Sequence, residues 1–213
     1  MNKIAHIRKE YQLKEFSETA ALPNGINQFD AWWKEAQASE IDEINAFTLC
    51  TASLTGKPSG RILLLKGYDN DGFIFFTNYQ SRKGQELLNN PFASMVFFWK
   101  ELERQVRIEG RIEKISNAES DEYFLSRPPS SQVGAWASPQ SQVITSRQVI
   151  ENNLQQYQVQ FGTKALYRPP HWGGYRLKPA EIEFWQGRPS RLHDRLRYTL
   201  QPPNTWLIER LAP

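Results

Sequence analysis

The hydrophobic positions in the first half of the chain change from a helical to a strand-like pattern near residue 46. Apolar side chains recur every three or four residues at Phe29, Trp32 and Ala36, which predicts an amphipathic helix over residues 28–39. Beyond it, apolar and β-branched runs alternate with turn sequences rich in Gly, Pro, Asn and Asp. These runs predict an antiparallel meander with strands at 46–54, 60–68 and 73–78.

The second half of the chain continues with short strands and a few inserted helices. Helices are predicted at 82–90, where Ser81 can cap the N-terminus, after Ser116, and at 146–161, and Gly110 is a candidate bulge. Strands are predicted at 92–100, 104–115, 172–177, 182–186, 192–200 and 206–211. This pattern favours an α+β fold with a closed or nearly closed, mostly antiparallel β-barrel and a few surrounding helices.

Composition narrows the classes of protein that the chain can represent. We expect a single domain over residues 26–213 with a mobile N-terminal arm over 1–25, since 213 residues suit one ordinary core. One cysteine excludes an internal disulfide and a thiol metal cluster, and no metal site is expected. The net charge of +3 is spread along the chain and does not point to nucleic acid. No export signal or membrane span is visible, so a cytoplasmic location is expected.

Two groups of cations in the first half indicate a site for an anion. Arg61 and Lys66 bound an apolar run, and their odd separation predicts that they point to opposite faces of a strand, although solvated strand ends would give the same pattern. Thr77, Arg82 and Lys83 meet at the predicted start of a helix, where unpaired backbone N–H groups favour a phosphate.

Two further groups of residues lie in the second half. Tyr123, Arg127 and Ser131 are a set that suits a phosphate monoester, but their spacing also arises by chance. Arg191, His193 and Arg195 occupy every second position, which predicts that the three share one strand face. Such crowding is unfavourable without an anion or an electron-rich ring among them, and a solvated strand face remains the alternative.

Together these motifs resemble the pyridoxine (pyridoxamine) 5'-phosphate oxidase family. The matching segments follow one another in the family's order from about Arg8 to the last residue: Arg61 to Lys66, Phe76-Thr77, Ser81-Arg82-Lys83, Glu103 to Val106, Ser126-Arg127-Pro128, Gly134-Ala135-Trp136, Phe184 to Gly187, Arg191 to Arg195 and Arg210 to Pro213. The segment Arg191-Leu192-His193-Asp194-Arg195 is the most specific of them.

The resemblance implies an FMN-binding split barrel that forms a homodimer, with FMN in the cleft between subunits. Residues implied to bind FMN are Arg61, Ile62, Leu63, Leu64, Leu65, Lys66, Phe76, Thr77, Arg82, Lys83, Gln105, Gln140, Ser141, Trp185 and Arg195. Residues implied to bind the substrate are Arg8 and Tyr11 from the arm, Lys66, Tyr123, Arg127 and Ser131 at the phosphate, and Arg191, Leu192 and His193 at the pyridine ring.

The implied reaction is the oxidation of pyridoxine 5'-phosphate or pyridoxamine 5'-phosphate to pyridoxal 5'-phosphate, with reduction of O₂ to H₂O₂. Arg191 and His193 are the implied catalytic residues, and His193 either acts as a base or only orients the reacting group. Phe76 departs from the family, where a Tyr is often found. The alternatives are another flavin enzyme on the same barrel and a protein that only carries FMN or pyridoxal phosphate.

Overall fold

The computed structural model describes residues 3–7 and 9–213. Within them lie the α-helices α1 (Gly25–Gln37), α2 (Arg82–Asn89), α3 (Asn117–Ser126), α4 (Pro129–Ala137) and α5 (Gln148–Phe161). The strands are β1 (Ala46–Ala52), β2 (Pro58–Leu64), β3 (Gly67–Asp69), β4 (Gly72–Asn78), β5 (Phe92–Trp99), β6 (Arg104–Lys114), β7 (Trp172–Gln186), β8 (Asp194–Gln201) and β9 (Thr205–Arg210). Among the described helices, none has the length and apolar character needed to cross a membrane.

All the strands join one antiparallel sheet in the order β2-β1-β5-β6-β7-β4-β3, with β8 paired to β7 and β9 paired to β8. The sheet curls into a half-barrel, and the helices lie outside it. The predicted α+β fold with a mostly antiparallel barrel is confirmed.

The sheet splits along one edge of β7. Strand β6 pairs with the whole of β7 on one side, whereas on the other side β4 pairs with its first part and β8 with its last part. The change falls at Pro179, which has no backbone N–H to donate to a neighbouring strand. Opposite it, the register shifts at Gly110, where a Cβ would lie 1.9 Å from the carbonyl oxygen of Lys178. The bulge that Gly110 was predicted to mark is therefore confirmed, but its extra residue lies on β7, since the register passes from Glu109–Glu181 to Gly110–Pro179 and skips Ala180.

Helix α1 covers the open side of the curled sheet. Asn24 caps it by accepting hydrogen bonds from the backbone N–H groups of the next turn. The fully buried ring of Phe29 packs against Phe73 and Phe97, with ring centroids 4.8 and 5.4 Å apart. Burial of one such ring contributes on the order of 2 kcal/mol, so this helix stabilises the curled sheet.

Helix starts were predicted well, except for α4. Ser81 caps α2 and Ser116 caps α3 in a capping box, as expected. No helix was predicted to begin at Pro129, but this residue opens α4, because proline at the first helical position loses no intrahelical hydrogen bond.

Four of the predicted strands need correction. Residues 172–177 and 182–186 belong to the single strand β7, and β8 begins at Asp194 instead of residue 192. The run 60–68 is divided because Leu65 N–H bonds the Asn45 carbonyl whereas Lys66 N–H bonds the Ile74 carbonyl. Lys66 therefore lies beyond the end of β2, and the inference that Arg61 and Lys66 share one strand on opposite faces was wrong.

Candidate active site

The start of α2 gathers positive charge around a buried lysine. Ser81 Oγ accepts the Gly84 N–H, and Lys83 Nζ lies 3.2 Å from Thr77 Oγ1 and 3.4 Å from Ser81 Oγ. The side chain is 6% exposed, and its hydrogen-bond partners within the described chain are hydroxyl groups only. Burial, and then the charge of Arg61, lower the pKa of Lys83 to about 8. The position therefore favours an anion that would compensate the buried charge.

Glu86 holds the two arginines beside this lysine. Its carboxylate accepts hydrogen bonds from Thr51 at 2.5 Å and Ser59 at 2.6 Å. It also binds Arg82 Nε at 2.9 Å and lies 3.5 Å from Arg61 Nη2. Burial alone would raise the pKa of Glu86, but the hydrogen bonds outweigh it and lower the pKa to about 2. Glu86 is thus ionised at neutral pH and orients both cations. Sequence reasoning missed it, because its partners come from three separate elements.

A second group of residues stacks aromatic rings beneath an arginine. Phe76 stacks on Tyr123 with centroids 3.9 Å apart, and on Trp172 at 5.5 Å. The guanidinium of Arg127 lies 4.5 Å above the Trp172 ring. Its buried Nη1 has no hydrogen-bond partner in the described part of the chain, and burial lowers the pKa of Arg127. A planar, unsatisfied cation of this kind is suited to a phosphate group. Trp172, which the motifs did not include, is the residue that orients it.

The remaining residues predicted to bind FMN or the substrate phosphate differ in their exposure. Lys66 is exposed between β2 and β3, and Ser131 is half-buried in the first turn of α4. Gln140 and Ser141 follow α4 in an exposed turn in which Ser141 adopts a left-handed conformation, with φ of 70°. Within β2, Ile62 is exposed and Leu63 and Leu64 are half-buried, while Leu65, just after the strand, is buried.

The tail does not form the strand face that the sequence predicted. Arg191 ends the 3₁₀ turn Pro189–Arg191, Leu192 and His193 follow it, and only Arg195 lies in β8. Ser190 and Arg191 both have positive φ, at 56° and 62°, and this turn redirects the chain before the strand begins. The prediction that Arg191, His193 and Arg195 share one face was therefore wrong, although the structure still brings His193 close to Trp185.

His193 lies within an aromatic group at the end of β7. Its ring is 4.5 Å from Trp185 and 6.0 Å from Tyr11, and Tyr11 meets Trp185 edge-on at 5.7 Å. The Arg188 backbone N–H donates to His193 Nδ1 at 3.1 Å, which leaves the proton of a neutral ring on Nε2. Burial, and then the charge of Arg191, lower the pKa of His193. The imidazole is consequently neutral at pH 7.

Arg195 is paired with a buried carboxylate. Its Nε and Nη2 donate to Glu183 at 2.8 and 3.1 Å, and Glu183 also lies 3.3 Å from Arg107 Nη1. Gln105 and Arg195 flank Trp185 on the neighbouring strands β6 and β8. The charge of Arg195 therefore needs no bound anion, contrary to the electrostatic argument from sequence. Glu183 was missed as its partner, although alternation along β7 placed it two residues before Trp185.

A cavity of about 530 Å³ lies between the N-terminal arm and the tail. Its lining comes from Ile7, Lys9, Glu10, Tyr11, Arg188, Ser190, Arg191 and His193. Tyr11 thus lies where the arm was predicted to meet the site. Arg8, the other predicted arm residue, falls outside the described residues.

The two halves of the predicted site lie at opposite ends of β7. Thr77 is opposite Gly173 at the start of the strand, beside the cationic start of α2, whereas Gln105 is opposite Trp185 at its end. Twelve residue steps of about 3.3 Å separate these ends by on the order of 40 Å along the strand. One chain therefore cannot bring both halves to the same small ligand.

A split, curled antiparallel sheet with these paired clusters defines an FMN-binding split barrel. The family model described as pyridoxamine 5'-phosphate oxidase matches residues 33–161, and that described as pyridoxine 5'-phosphate oxidase C-terminal dimerisation region matches residues 172–213. The chain belongs to the pyridoxine/pyridoxamine 5'-phosphate oxidase family, as the motifs predicted. This membership also confirms FMN as the predicted cofactor and the predicted homodimer.

Known proteins support the same placement. A pyridoxine/pyridoxamine 5'-phosphate oxidase from Nostoc sp. is 54% identical over 210 residues, which cover 99% of this chain and 98% of the relative. The crystal structure of PhzG from Burkholderia lata, in complex with tetrahydrophenazine-1-carboxylic acid, has a TM-score of 0.88 at 31% identity and covers 95% of this chain and 99% of its own. A pyridoxamine 5'-phosphate oxidase-related, FMN binding protein from Nostoc punctiforme, 16% identical, shares the fold, with a TM-score of 0.70 over 91% of this chain and 100% of its own.

Proposed function

We propose that this chain is an FMN-dependent oxidase that converts pyridoxine 5'-phosphate or pyridoxamine 5'-phosphate to pyridoxal 5'-phosphate. The observation that carries the proposal is the half-buried Arg127 guanidinium over Trp172, whose buried Nη1 is unsatisfied in the described chain. It supplies a site for the phosphate of a substrate, separate from the cationic start of α2. The relative named for this activity matches almost the whole chain.

The residues at the start of α2 fit the phosphate end of FMN. Lys83 is a buried cation with hydroxyl partners only, and Glu86 fixes Arg61 and Arg82 beside it. A phosphate bound here would gain roughly 1.5–3 kcal/mol from each charge-assisted hydrogen bond. Thr77 Oγ1, already 3.2 Å from Lys83 Nζ, would add a neutral donor. When bound, FMN supplies the redox chemistry, accepting two electrons from the substrate and passing them to O₂ to give H₂O₂.

The flavin ring would be met by the partner subunit. Gln105, Trp185 and Arg195 lie at the far end of β7 from Lys83, so a second copy must present them to the same FMN. The matched dimerisation region spans β7 to β9, which contains two of these three residues. In this arrangement each dimer holds two equivalent sites, and each site needs both chains.

The substrate would be held at both ends. Arg127 and Tyr123, with Ser131 from the first turn of α4 and Lys66 from between β2 and β3, would bind its phosphate and so anchor the substrate at a point far from the reacting carbon. Arg191, at the exposed end of the 3₁₀ turn, would lie against the pyridine ring. Exclusion of water would come from the arm, where Tyr11 borders the cavity.

His193 would orient the reacting hydroxyl or amine. Its Nδ1 accepts the Arg188 N–H, so only Nε2 is free to meet a substrate, and in the neutral ring this nitrogen carries a proton. A nitrogen that carries a proton donates a hydrogen bond and cannot accept a second proton. The geometry therefore favours an orienting role over that of a general base.

The test of this function is an anaerobic titration. The purified protein is loaded with FMN, and its visible spectrum is recorded before and after addition of pyridoxine 5'-phosphate or pyridoxamine 5'-phosphate. We expect bleaching that reverses on aeration, with pyridoxal 5'-phosphate formed, and far weaker bleaching by unphosphorylated pyridoxine. Bound flavin that neither phosphorylated vitamer bleaches would refute the proposal and favour another substrate on this barrel, or a binding protein.

Mixed dimers test the shared site. Lys83→Met and Arg195→Ala each weaken both sites of their own homodimer. A heterodimer of the two variants keeps one site with both residues intact if the site is shared, so FMN binding should return to about half the wild-type stoichiometry. No recovery in the heterodimer would show that each site is built by one chain.

The cytoplasmic location is a further proposal, which fractionation of cells tests.

A further inference from the structure

Glu103 occupies an unusual position in the turn between β5 and β6. Its backbone is left-handed, with φ of 54° and ψ of 41°, a conformation that residues with a side chain adopt rarely. The residue is 2% exposed, while its neighbour Glu101 on the same turn is exposed. A glycine would satisfy the turn with less strain, so the carboxylate itself needs an explanation.

The Glu103 carboxylate is bound by the N-terminal arm. Its Oε2 accepts the backbone N–H groups of Gln12 at 2.8 Å and Leu13 at 3.2 Å. Its Oε1 lies 3.2 Å from Lys9 Nζ. The carbonyl oxygen of the same residue accepts the Gly187 N–H at 2.7 Å. Glu103 thus joins the arm to the end of β7, next to the residues of the tail.

The amide held by Glu103 sets the position of Tyr11. Gln12 follows Tyr11 directly, so its pinned N–H fixes the peptide group that carries the tyrosine. The Tyr11 ring lies against Gly187, where an added Cβ would approach its Cγ to 2.7 Å. From there it contacts Trp185 and His193 edge-on. Tyr11 therefore forms a wall of the cavity only while the arm is held in this register.

The base of the arm is anchored without Glu103. Phe16 is buried against Trp32, with ring centroids 5.1 Å apart, and its N–H donates to Asp194 at 3.0 Å. Glu18 forms a two-point ion pair with Arg210 at 2.7 Å. Loss of the Glu103 carboxylate should consequently release the segment around Tyr11 and leave the base of the arm and the fold in place.

We propose that Glu103 is a positioning residue, which holds the N-terminal arm so that Tyr11 closes the substrate cavity beside His193. The proposal rests on the proposed function for the identity of the substrate, but not for the contacts between Glu103 and the arm. Two readouts are therefore needed, one on the arm and one on turnover.

The test compares Glu103→Gly, which suits the left-handed turn and removes the carboxylate, with the matched charge variants Glu103→Gln and Glu101→Gln. Limited chymotrypsin digestion, followed by mass spectrometry, measures cleavage of the Tyr11–Gln12 bond. We expect cleavage about 100-fold faster in Glu103→Gly, since two hydrogen bonds to a carboxylate are lost and each corresponds to about tenfold. Glu103→Gln keeps one acceptor oxygen and should fall between, and Glu101→Gln should behave as wild type.

Turnover provides the second readout. In Glu103→Gly we expect KM for the phosphorylated vitamers to rise about tenfold, with kcat changed less and FMN binding retained. Equal cleavage of Glu103→Gly and wild type would overturn the proposal, as would faster cleavage with unchanged KM. If wild-type protein fails to oxidise either vitamer, the proposed function fails, and the cleavage rates still decide whether Glu103 holds the arm.

Discussion

Lys83→Met should change stability and cofactor affinity in opposite directions. The lysine is buried at the start of α2 and has hydroxyl partners only in the described chain. Methionine has a similar length without the charge. The FMN-free protein should therefore become more stable, while FMN should bind less tightly.

The size of the stability change follows from the pKa of Lys83. Burial lowers this pKa from 10.5 to about 8, and each unit corresponds to about 1.4 kcal/mol between the two protonation states. At pH 7 the amine is charged in both folded and unfolded protein, so the folded state bears a penalty of about 3 kcal/mol. Removal of the charge should stabilise the FMN-free protein by up to about this amount. Loss of one charge-assisted hydrogen bond should weaken FMN binding by about 10–100-fold.

The stability difference between wild type and Lys83→Met should depend on pH. Between pH 8 and 10.5 the unfolded chain binds more protons at Lys83 than the folded chain does, so wild-type stability rises with pH across this window. The advantage of Lys83→Met should therefore shrink above pH 8 and disappear near pH 10.5. Urea unfolding of FMN-free protein, at one fixed protein concentration, measures the difference at pH 7, 9 and 10.

FMN affinity is measured separately, from free flavin after ultrafiltration. Lys57→Met, which removes an exposed lysine from the turn between β1 and β2, is the matched control and should change neither quantity. Either of two results would refute the role of Lys83 as a buried charge that FMN compensates. These are a loss of stability of the FMN-free Lys83→Met protein at pH 7, and an affinity for FMN equal to that of wild type.

Three further substitutions test other contacts. Arg127→Lys loses the planar group stacked on Trp172, and steady-state kinetics should show kcat/KM for phosphorylated vitamers about 10–100-fold lower. His193→Asn should lower kcat only a few-fold. Because the His193 pKa is lowered from 6.5, a loss of wild-type activity caused by protonation of His193 should occur below pH 6.5, and it should be absent in the variant. Glu183→Gln leaves Arg195 without its buried partner and should reduce stability in urea by about 2 kcal/mol.

Each of these has a matched control. Arg147→Lys alters an arginine just before α5 that is 87% exposed and pairs, within the described residues, with Glu151 alone, so kcat/KM should not change. His6→Asn should leave the pH profile as in wild type, and Glu181→Gln, whose nearest cation is Arg197 at 3.9 Å, should cost less than about 1 kcal/mol. A 100-fold loss of kcat in His193→Asn would instead require that this histidine serve as a base.

Local signals made much of the fold predictable. Ser81 and Ser116 indicate helix starts because their hydroxyl groups can accept hydrogen bonds from backbone N–H groups in the first turn. This interaction depends only on neighbours in the sequence. The bulge at Gly110 was predictable for a similar reason, since glycine within a strand pattern indicates a close backbone approach.

The missed features depend on partners distant in sequence. Pro179 looks like the end of a strand, but β7 continues because the bulge at Gly110 lets the two backbones stay paired around it. The 3₁₀ turn Pro189–Arg191 could not be predicted from the sequence, since Ser190 and Arg191 are not residues that favour positive φ.

The candidate site shows the same limit. The motifs named Arg61 and Arg195 through resemblance, but the carboxylates that orient them come from other elements and carry no motif of their own. Alternation along the sequence predicted that Arg191 lies on a strand face, because the pattern presumes a regular extended backbone. Arg191 instead ends a 3₁₀ turn, three residues before β8 begins. Side chains that position others are therefore the ones that only the tertiary structure reveals.

The length of β7 has a consequence for the dimer as a whole. One end of this strand carries Trp172, which in the proposed dimer would serve the phosphate half of one site, and the other end carries Trp185, which would serve the flavin half of the second. In that dimer the strand would act as a spacer that couples the geometry of two reaction centres. An inserted residue would lengthen it by about 3.3 Å and reverse the faces beyond the insertion, so both centres would lose alignment together.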